Sequence, residues 1–283
     1  MNNNQIQFTL TVNAGKWLIA RAISELECIK TAKEKGKIIL FGGTTVSALT
    51  EILTGKPIRL SGRITPRGTV TAYEKKGEVA HTLLINDGKY YDIENQEAEP
   101  LLAKLGSSDV IVTGANGYDV FGDAFLMAGT FGLGERINLF TTMYTEGCKI
   151  IIAAGIEKLI PGSARDAIGC AGRNSSKWSM GASIGLVPLI GDIISEIEAI
   201  RILFGIDPVV IGRGGINGAE GSTTMVASGD NNSLEALIKT IGWASEQKLS
   251  GMPESTKECE RGVKACSRHV GCCYKSGKYF KKI

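Results

Sequence analysis

Two glycines followed by two threonines form the feature of this sequence best suited to holding an anion. Gly42, Gly43, Thr44 and Thr45 stand between an apolar run and a pattern typical of a helix. Glycine lets the backbone approach a ligand, and the first N–H groups of a helix lack partners within it. Because the helix dipole adds positive potential, such a turn can bind phosphate or carboxylate. The alternative is a tight turn with a threonine cap and no ligand.

Acidic and basic side chains further along the chain could move a proton or pair with a bound anion. Asp119 and Asp123 flank a glycine after the predicted strand 109–113, where a carboxylate is suited to be a general base. Lys158 could pair with an anion as a point charge. The alternatives are solvation or local turns for the aspartates, and a surface position for the lysine.

Three arginines could hold a second anionic group. Arg63 stands four residues from both Arg59 and Arg67, in the stretch 56–71, whose prolines and glycines predict a loop. A guanidinium pairs well with phosphate or carboxylate, so we place Arg63 in the predicted pocket. A solvated loop is the alternative.

A second glycine-rich segment covers residues 212–221 and contains five glycines. It has few side chains that could pack, so we expect its backbone to approach a ligand or another loop. We assign Gly214 and Gly215 to the pocket. The segment is not a dinucleotide fingerprint, because a strand rather than a helix is predicted to follow it.

Cysteines and a histidine concentrate near the end of the sequence. The candidate metal ligands are Cys259, Cys266, His269, Cys272 and Cys273. Thiolates in a reducing compartment suggest Zn²⁺ or an iron–sulfur cluster, although no Cys-x-x-Cys unit is present. A redox-active thiol group and no role at all are the alternatives. The other cysteines, at 28, 148 and 170, are predicted to lie in the core.

Composition indicates a globular protein with a distinct terminal segment. The chain has 283 residues, 43% of them hydrophobic, and a net charge of +3, which excludes disordered and fibrous classes. Residues 251–283 carry eight basic against three acidic side chains. We therefore predict a ligand-binding domain over 1–248 and a basic, cysteine-rich segment over 249–283. For that segment we prefer a solvated terminus to a nucleic-acid contact.

The elements that must position these residues alternate between strand and helix. Apolar runs that end at glycines predict strands at 37–41, 81–86, 109–113, 149–154, 209–211 and 223–227. Helical spacing of apolar residues predicts helices at 15–32, 45–53, 192–204 and 233–248. This alternation predicts an α/β fold with a mostly parallel sheet, helices on both faces and a Rossmann-like three-layer arrangement. Ligands of such sheets bind beyond the carboxyl ends of the strands.

Three segments resemble one superfamily in the order in which that superfamily has them. They are IILFGGTTVSAL at 38–49, SDVIVTGANGYD at 108–119 and KIIIAAGIEKLIP at 149–161. The first resembles the phosphate loop of the ribose-phosphate isomerase, glucosamine-phosphate deaminase and CoA-transferase superfamily, which also includes lactate-utilisation proteins. The second is similar to its Gly-Ala-Asp loop, and the third to its strand leading to a lysine.

The resemblance implies a ligand loop at Gly114, Ala115, Asn116 and Gly117. The isomerases of the superfamily have an acidic residue where this chain has Asn116. Because an amide cannot act as a base, proton transfer would fall to another acidic loop residue.

We therefore expect an enzyme of isomerase or transferase type, acting on a phosphorylated or CoA-linked small molecule. The alternative is a non-catalytic sensor that binds a metabolite in the same pocket. No secretory signal and no apolar run of membrane length is seen, so we expect a cytoplasmic protein without a membrane partner. We also expect a homo-oligomer.

Overall fold

The structure is a computed structural model, and it describes residues 4–60, 62–71, 79–94, 96–256, 266–267 and 269–276. The fold is mixed α/β, as the alternating pattern predicts. The strands are β1 (Gln5–Leu10), β2 (Lys37–Phe41), β3 (Gly62–Thr65), β4 (Gly68–Thr71), β5 (Thr82–Asn86), β6 (Lys89–Asp92), β7 (Val110–Gly114), β8 (Gly117–Tyr118), β9 (Ala124–Ala128), β10 (Lys149–Ala153), β11 (Gly185–Leu189), β12 (Asp192–Ile194), β13 (Val209–Gly214) and β14 (Ser222–Ser228).

The helices lie between and after these strands. They are α1 (Val12–Glu25), α2 (Glu27–Lys35), α3 (Thr44–Thr54), α4 (Glu99–Leu102), α5 (Ile137–Thr145), α6 (Ala164–Cys170), α7 (Glu196–Phe204), α8 (Asn231–Glu246), α9 (Pro253–Thr256) and α10 (Cys273–Ser276). Short 3₁₀ helices cover Phe131–Arg136 and Ile156–Lys158. In the part of the chain that the structure describes, no helix has both the length and the apolar composition to cross a membrane.

A six-stranded sheet in the order β12-β10-β7-β2-β5-β6 forms the centre of the fold. The first four strands are parallel to their neighbours, and β5 and β6 extend the sheet antiparallel. The β5–β6 hairpin turns through Asp87 and Gly88, whose φ angles of 50° and 68° suit such a tight turn. The parallel character is thus confined to one side of the sheet. The carboxyl ends of the four parallel strands lie side by side at one edge of the sheet.

Both faces of the central sheet are buried, because side chains alternate along each strand. Ile38 and Leu40 of β2 lie in one core with α1, α3 and α7. Ile39 and Phe41 of the same strand lie in the opposite core with α5. Burying each such side chain contributes roughly 1.5–3 kcal/mol, so these strands are continuous apolar runs rather than alternating ones.

A second sheet, in the order β1-β14-β13, lies beside the start of α1. Its strands are antiparallel, and β1 pairs with β14 over Gln5–Leu10. Thr11 caps α1 by accepting the N–H of Ala14 at 3.1 Å. The strand therefore sets the position of the first turns of α1, which face the carboxyl edge of the central sheet.

Several predicted boundaries differ from the observed ones. The predicted helix 15–32 is two helices, because Leu26 adopts an extended conformation between α1 and α2. The predicted helix 192–204 begins as strand β12 and becomes helical only at Glu196. The predicted helix 233–248 begins two residues earlier, at Asn231, because Asp230 caps α8. The predicted loop 56–71 contains the β3–β4 hairpin.

The described part of the C-terminal segment is not a solvated terminus, so that preference is wrong. His269, Cys272, Cys273 and Tyr274 are all buried, and the last three pack with Trp178. Backbone hydrogen bonds join Gly271 and Cys273 to Ser179, on the connection that precedes β11. Packing against this connection, rather than local sequence, buries the segment. Cys170 is exposed, so its prediction as a core residue is wrong too.

Candidate functional site

The carboxyl ends of β12, β10, β7 and β2 bring four loops into one row. The loops contribute Glu196, residues 154–158, residues 115–116 and the Gly42–Thr45 turn, in that order across the sheet. Neighbouring strands lie about 4.8 Å apart, so the β10 and β2 loops are separated by roughly 10 Å. A small elongated ligand could contact both. The loops after β2, β7 and β10, three of those predicted to bind a ligand, therefore share one edge of the sheet.

The Gly42–Thr45 turn forms the start of α3, as predicted. Gly43 is the N-cap of α3, and as a glycine it has no side chain that could cap the helix. A Cβ placed on it would meet nothing within 4 Å. The hydroxyl of Thr45 is buried and has no hydrogen-bond partner among the described residues. The turn therefore combines open space above the backbone with an unused buried donor. These features suit an anion, which remains a prediction.

A buried carboxyl group stands at the β12 end of the row. Glu196 is 3% exposed, and its Oε2 accepts the N–H of Ile156 at 2.7 Å. A Cβ on Gly15 would lie 2.3 Å from Oε1, and one on Gly155 would lie 2.9 Å from it. Two glycines are therefore needed to admit this side chain. The capping box of Ser195 and Glu198 fixes the start of α7 and so fixes Glu196.

A second carboxylate lies against the first. A Cβ on Gly155 would lie 2.0 Å from Oε2 of Glu157 and 2.9 Å from Oε1 of Glu196. These two oxygens can therefore be no farther apart than the sum of those two distances. Both carboxylate oxygens of Glu157 are buried without a hydrogen-bond partner in the described residues. A buried charge without partners is costly, which makes this oxygen pair a place where a ligand could contribute hydrogen bonds.

The environment of Glu196 tunes it to carry a proton near neutral pH. Burial raises the pKa of its carboxyl to about 7, and the negative charge of Glu157 acts in the same direction. The hydrogen bond from Ile156 and the positive charge of Arg213 oppose this rise.

Two lysines complete what we call the acid–lysine cluster, namely Lys16, Glu157, Lys158 and Glu196. Burial lowers the pKa of Lys158, and the two glutamates oppose the change. Burial also lowers the pKa of Lys16, and the positive charge of Lys158 adds to the effect. Lys158 donates a hydrogen bond to the carbonyl of Ala115 at 2.5 Å, which links the β10 and β7 loops.

Two further groups flank the cluster. Burial raises the pKa of the Tyr118 phenol, and the charge of Glu196 adds to the rise, so this hydroxyl stays protonated and can donate. Arg213, on β13 just before Gly214, lowers the pKa of both Glu196 and Tyr118 by its positive charge. A ligand at the cluster would therefore face cations and a hydroxyl donor as well as the acid pair.

The aspartates chosen from the sequence have other surroundings. Asp119 is 2% exposed and accepts the N–H groups of Ala164, Phe121 and Asp123. The bond from Ala164 is the largest cause of its lowered pKa. A carboxylate held in this way organises its loop and is a poor base. Asp123 is exposed at the far end of the same loop, where its carbonyl accepts the N–H of Asp119.

The predicted ligand loop after β7 is partly explained by local structure. The side-chain oxygen of Asn116 accepts the N–H of Met127 at 2.9 Å, so this amide joins the loop to β9. A Cβ on Gly117 would lie 2.3 Å from the ring of Phe125, which accounts for that glycine by packing. Gly114 and Ala115 end β7 next to β10. They lie close to the cluster through the Lys158 hydrogen bond.

The remaining pocket residues lie elsewhere or serve their own loops. Arg63 is on the β3–β4 hairpin, paired with Val70. Gly214 ends β13 in open space. Gly215 has a φ of 119°, and a Cβ there would lie 1.9 Å from the carbonyl oxygen of Ala219, so the turn itself requires glycine.

The predicted metal site is only partly described. Nε2 of His269 is 2.7 Å from the Thr71 hydroxyl, Cys272 and Cys273 are buried, and Cys266 is half-buried. Cys259 lies outside the described residues. Within those residues no three His, Cys, Asp or Glu side chains are grouped to hold a metal. Metal binding stays a prediction.

Two surface depressions lie away from the cluster. One, of about 260 Å³, borders Lys149 and Asp192 at the amino ends of their strands. The other borders Arg21 and Thr240 on the helical surface. Ligands of parallel sheets bind at the opposite, carboxyl edge, so the buried charges there are the stronger indication of a site.

Sequence reasoning missed Lys16 and Glu196. The sequence signal for Glu196 was an acidic residue next to a serine cap, just after a strand. It was missed because residues 192–204 were predicted to form a single helix. The signal for Lys16 was a charged residue between Gly15 and the apolar run 17–20. No family model, no curated protein and no solved structure matches the chain.

Proposed function

We propose that the chain is an enzyme of isomerase or transferase type that moves a proton on a phosphorylated or CoA-linked small molecule. The observation that carries the proposal is the buried Glu196, whose pKa is raised to about 7 beside Glu157 and two lysines. A general acid or base works best when its pKa is near the working pH. Proton transfer therefore moves from the aspartates predicted from the sequence to Glu196.

Each group then has a role that follows from its position. Gly42–Thr45 binds the anionic group through the first N–H groups of α3. Lys158 and Arg213 stabilise negative charge that develops on the substrate. The Tyr118 hydroxyl donates a hydrogen bond to a substrate oxygen. The negative charge of Glu157 helps to raise the pKa of Glu196 and so favours its protonated form.

The proposal includes the finer features expected from the sequence. We place the chain in the isomerase and CoA-transferase superfamily, with a Rossmann-like three-layer core, in the cytoplasm and as a homo-oligomer. The row of loops at the carboxyl ends of four parallel strands supports this placement. The competing function is a metabolite sensor that uses the same pocket without turnover.

A ligand screen followed by one substitution tests the proposal. Sugar phosphates, acyl-CoAs and small carboxylates are screened by thermal shift, because a ligand at 100 times its Kd adds about 2.7 kcal/mol of stability. Turnover of the ligands found is then measured for the wild type, for Glu196→Gln and for the exposed control Glu235→Gln.

We expect Glu196→Gln to lower kcat by roughly 10²–10⁴-fold, since the amide cannot exchange the proton. Ligand affinity should change much less, and Glu235→Gln should behave as the wild type. Unchanged turnover in Glu196→Gln would refute the assignment of the proton carrier. A ligand that binds but is not converted by the wild type would favour the sensor.

A further inference from the structure

Two amino groups share the acid–lysine cluster, and their hydrogen bonding differs. The Lys158 ammonium is fixed by the carbonyl of Ala115 at 2.5 Å. The Lys16 side chain makes no hydrogen bond or ion pair within the described residues. It is on the second turn of α1, next to Gly15, whose Cα lies directly against the Glu196 carboxyl.

We propose that Lys16 is a nucleophile that forms an imine with the carbonyl carbon of an anionic aldehyde or ketone. The inference rests on the proposed function and narrows its substrate class, because a thioester of CoA does not form an imine in this way. A phosphorylated carbonyl compound would place its phosphate at Gly42–Thr45 and its carbonyl at Lys16.

The surroundings of Lys16 suit this chemistry. An amine attacks only in its neutral form, and lysine nucleophiles are activated by burial or by a neighbouring cation. Both causes act here: burial is the largest cause of the lowered pKa of Lys16 and the charge of Lys158 adds to it, while the charges of Glu157 and Glu196 oppose them without reversing the shift. If Lys16 served only as a counter-ion, the Glu157 carboxylate should be its partner. Both Glu157 oxygens lack a hydrogen-bond partner in the described structure.

The step balances without an outside oxidant or reductant. The lone pair of the neutral Lys16 nitrogen forms a C–N bond as the carbonyl π pair moves to oxygen, and one proton passes from nitrogen to that oxygen. The protonated Glu196 then gives its proton to the hydroxyl, which leaves as water while the C=N bond forms.

The products are an iminium ion and the Glu196 carboxylate. The iminium makes the adjacent C–H acidic, so this carboxylate can remove that proton and return it elsewhere. Hydrolysis of the iminium restores both residues. Glu196 thus serves the imine step and the proton transfer of the proposed function.

Reductive trapping on the intact chain tests the inference without a known substrate. The probes are pyridoxal 5′-phosphate, an anionic aldehyde, and glyoxylate, a smaller one that can enter a narrower opening. Each is incubated at pH 7.5 with cyanoborohydride, and modified lysines are mapped by mass spectrometry. Lys239, exposed on α8, is the internal reference.

We expect Lys16 to be modified several-fold faster than Lys239 by one or both probes, because its lowered pKa leaves a larger neutral fraction of the amine at pH 7.5. Lys16→Arg, which keeps the charge, should remove this fast phase, whereas Lys239→Arg should leave it. Equal or slower modification of Lys16 with both probes, or fast modification of Lys158 instead, would overturn the inference. If Glu196→Gln still abolished turnover in that case, the proposed function would stand.

Discussion

The raised pKa of Glu196 predicts a specific dependence of stability on pH. An unperturbed glutamate carboxyl has a pKa of 4.5, whereas burial raises the pKa of Glu196 to about 7 in the folded chain. The folded state therefore binds this proton more tightly than the unfolded state. The resulting stabilisation is fully present below pH 4.5 and is lost as the pH rises through about 7.

The size of the effect follows from the two values. Each unit of pKa is worth about 1.4 kcal/mol, so the difference corresponds to about 3 kcal/mol. Glu196→Gln removes the titration while keeping an oxygen that can accept the N–H of Ile156. The free energy of unfolding of the wild type should therefore fall, relative to the variant, by about 3 kcal/mol between pH 4.5 and pH 8.

Urea unfolding at half-unit pH steps measures this difference. Other titrating groups cancel when the wild type is compared with Glu196→Gln, and Glu235→Gln controls for the loss of one surface carboxyl. A difference that stays constant within about 0.5 kcal/mol across the range, an amount typical of surface substitutions, would refute the argument for a protonated, buried Glu196.

Three further predictions concern packing and capping. Gly15→Ala should lower the free energy of unfolding by about 1–3 kcal/mol, because the new Cβ would lie 2.3 Å from Glu196. Gly242→Ala, on α8 with open space around it, should raise the free energy of unfolding by up to about 1 kcal/mol. Thermal melts of the two variants and the wild type test both predictions. Ser195→Ala should cost about 1 kcal/mol by removing the α7 cap, measured by urea unfolding; no loss would contradict the capping role. Thr71→Val should lower the free energy of unfolding by about 1 kcal/mol, because it removes the hydrogen bond between the Thr71 hydroxyl and His269. The variant should also be cleaved faster by protease after residue 256. Unchanged cleavage would contradict the role of this contact in docking His269.

The strands of the central sheet were predictable because both of their faces are buried. Lys37–Phe41 and Lys149–Ala153 are continuous apolar runs that end at or near glycine, and the structure confirms both strands. The direction of β5 was not predictable in the same way. Its short hairpin with β6 is visible in the Asp87–Gly88 turn, but its antiparallel pairing with β2 depends on a connection that carries no such signal.

The cluster was harder to predict because its properties are tertiary. Isoleucines at 193, 197 and 200 continue one helical spacing across the boundary between β12 and α7. This spacing hid the end of β12 and, with it, the position of Glu196. Asp119 looked like a free loop carboxylate. The hydrogen bond that lowers its pKa most comes from Ala164, 45 residues away, and nothing in the local sequence indicates that contact.

The pairing of β1 with β14 has a consequence for the order in which the chain can fold. Gln5 lies opposite Ser228, so the strand that holds the start of α1 must wait during synthesis until more than two hundred further residues have been made. The central sheet needs no such wait, because β2, β5, β6 and β7 are close in sequence. Contacts between residues far apart in sequence form late, because the chain loses the entropy of the intervening loop before these contacts stabilise it. Lys16 should therefore reach the glutamates among the last events of folding. A chain stalled late in translation would have an ordered sheet without an assembled acid–lysine cluster.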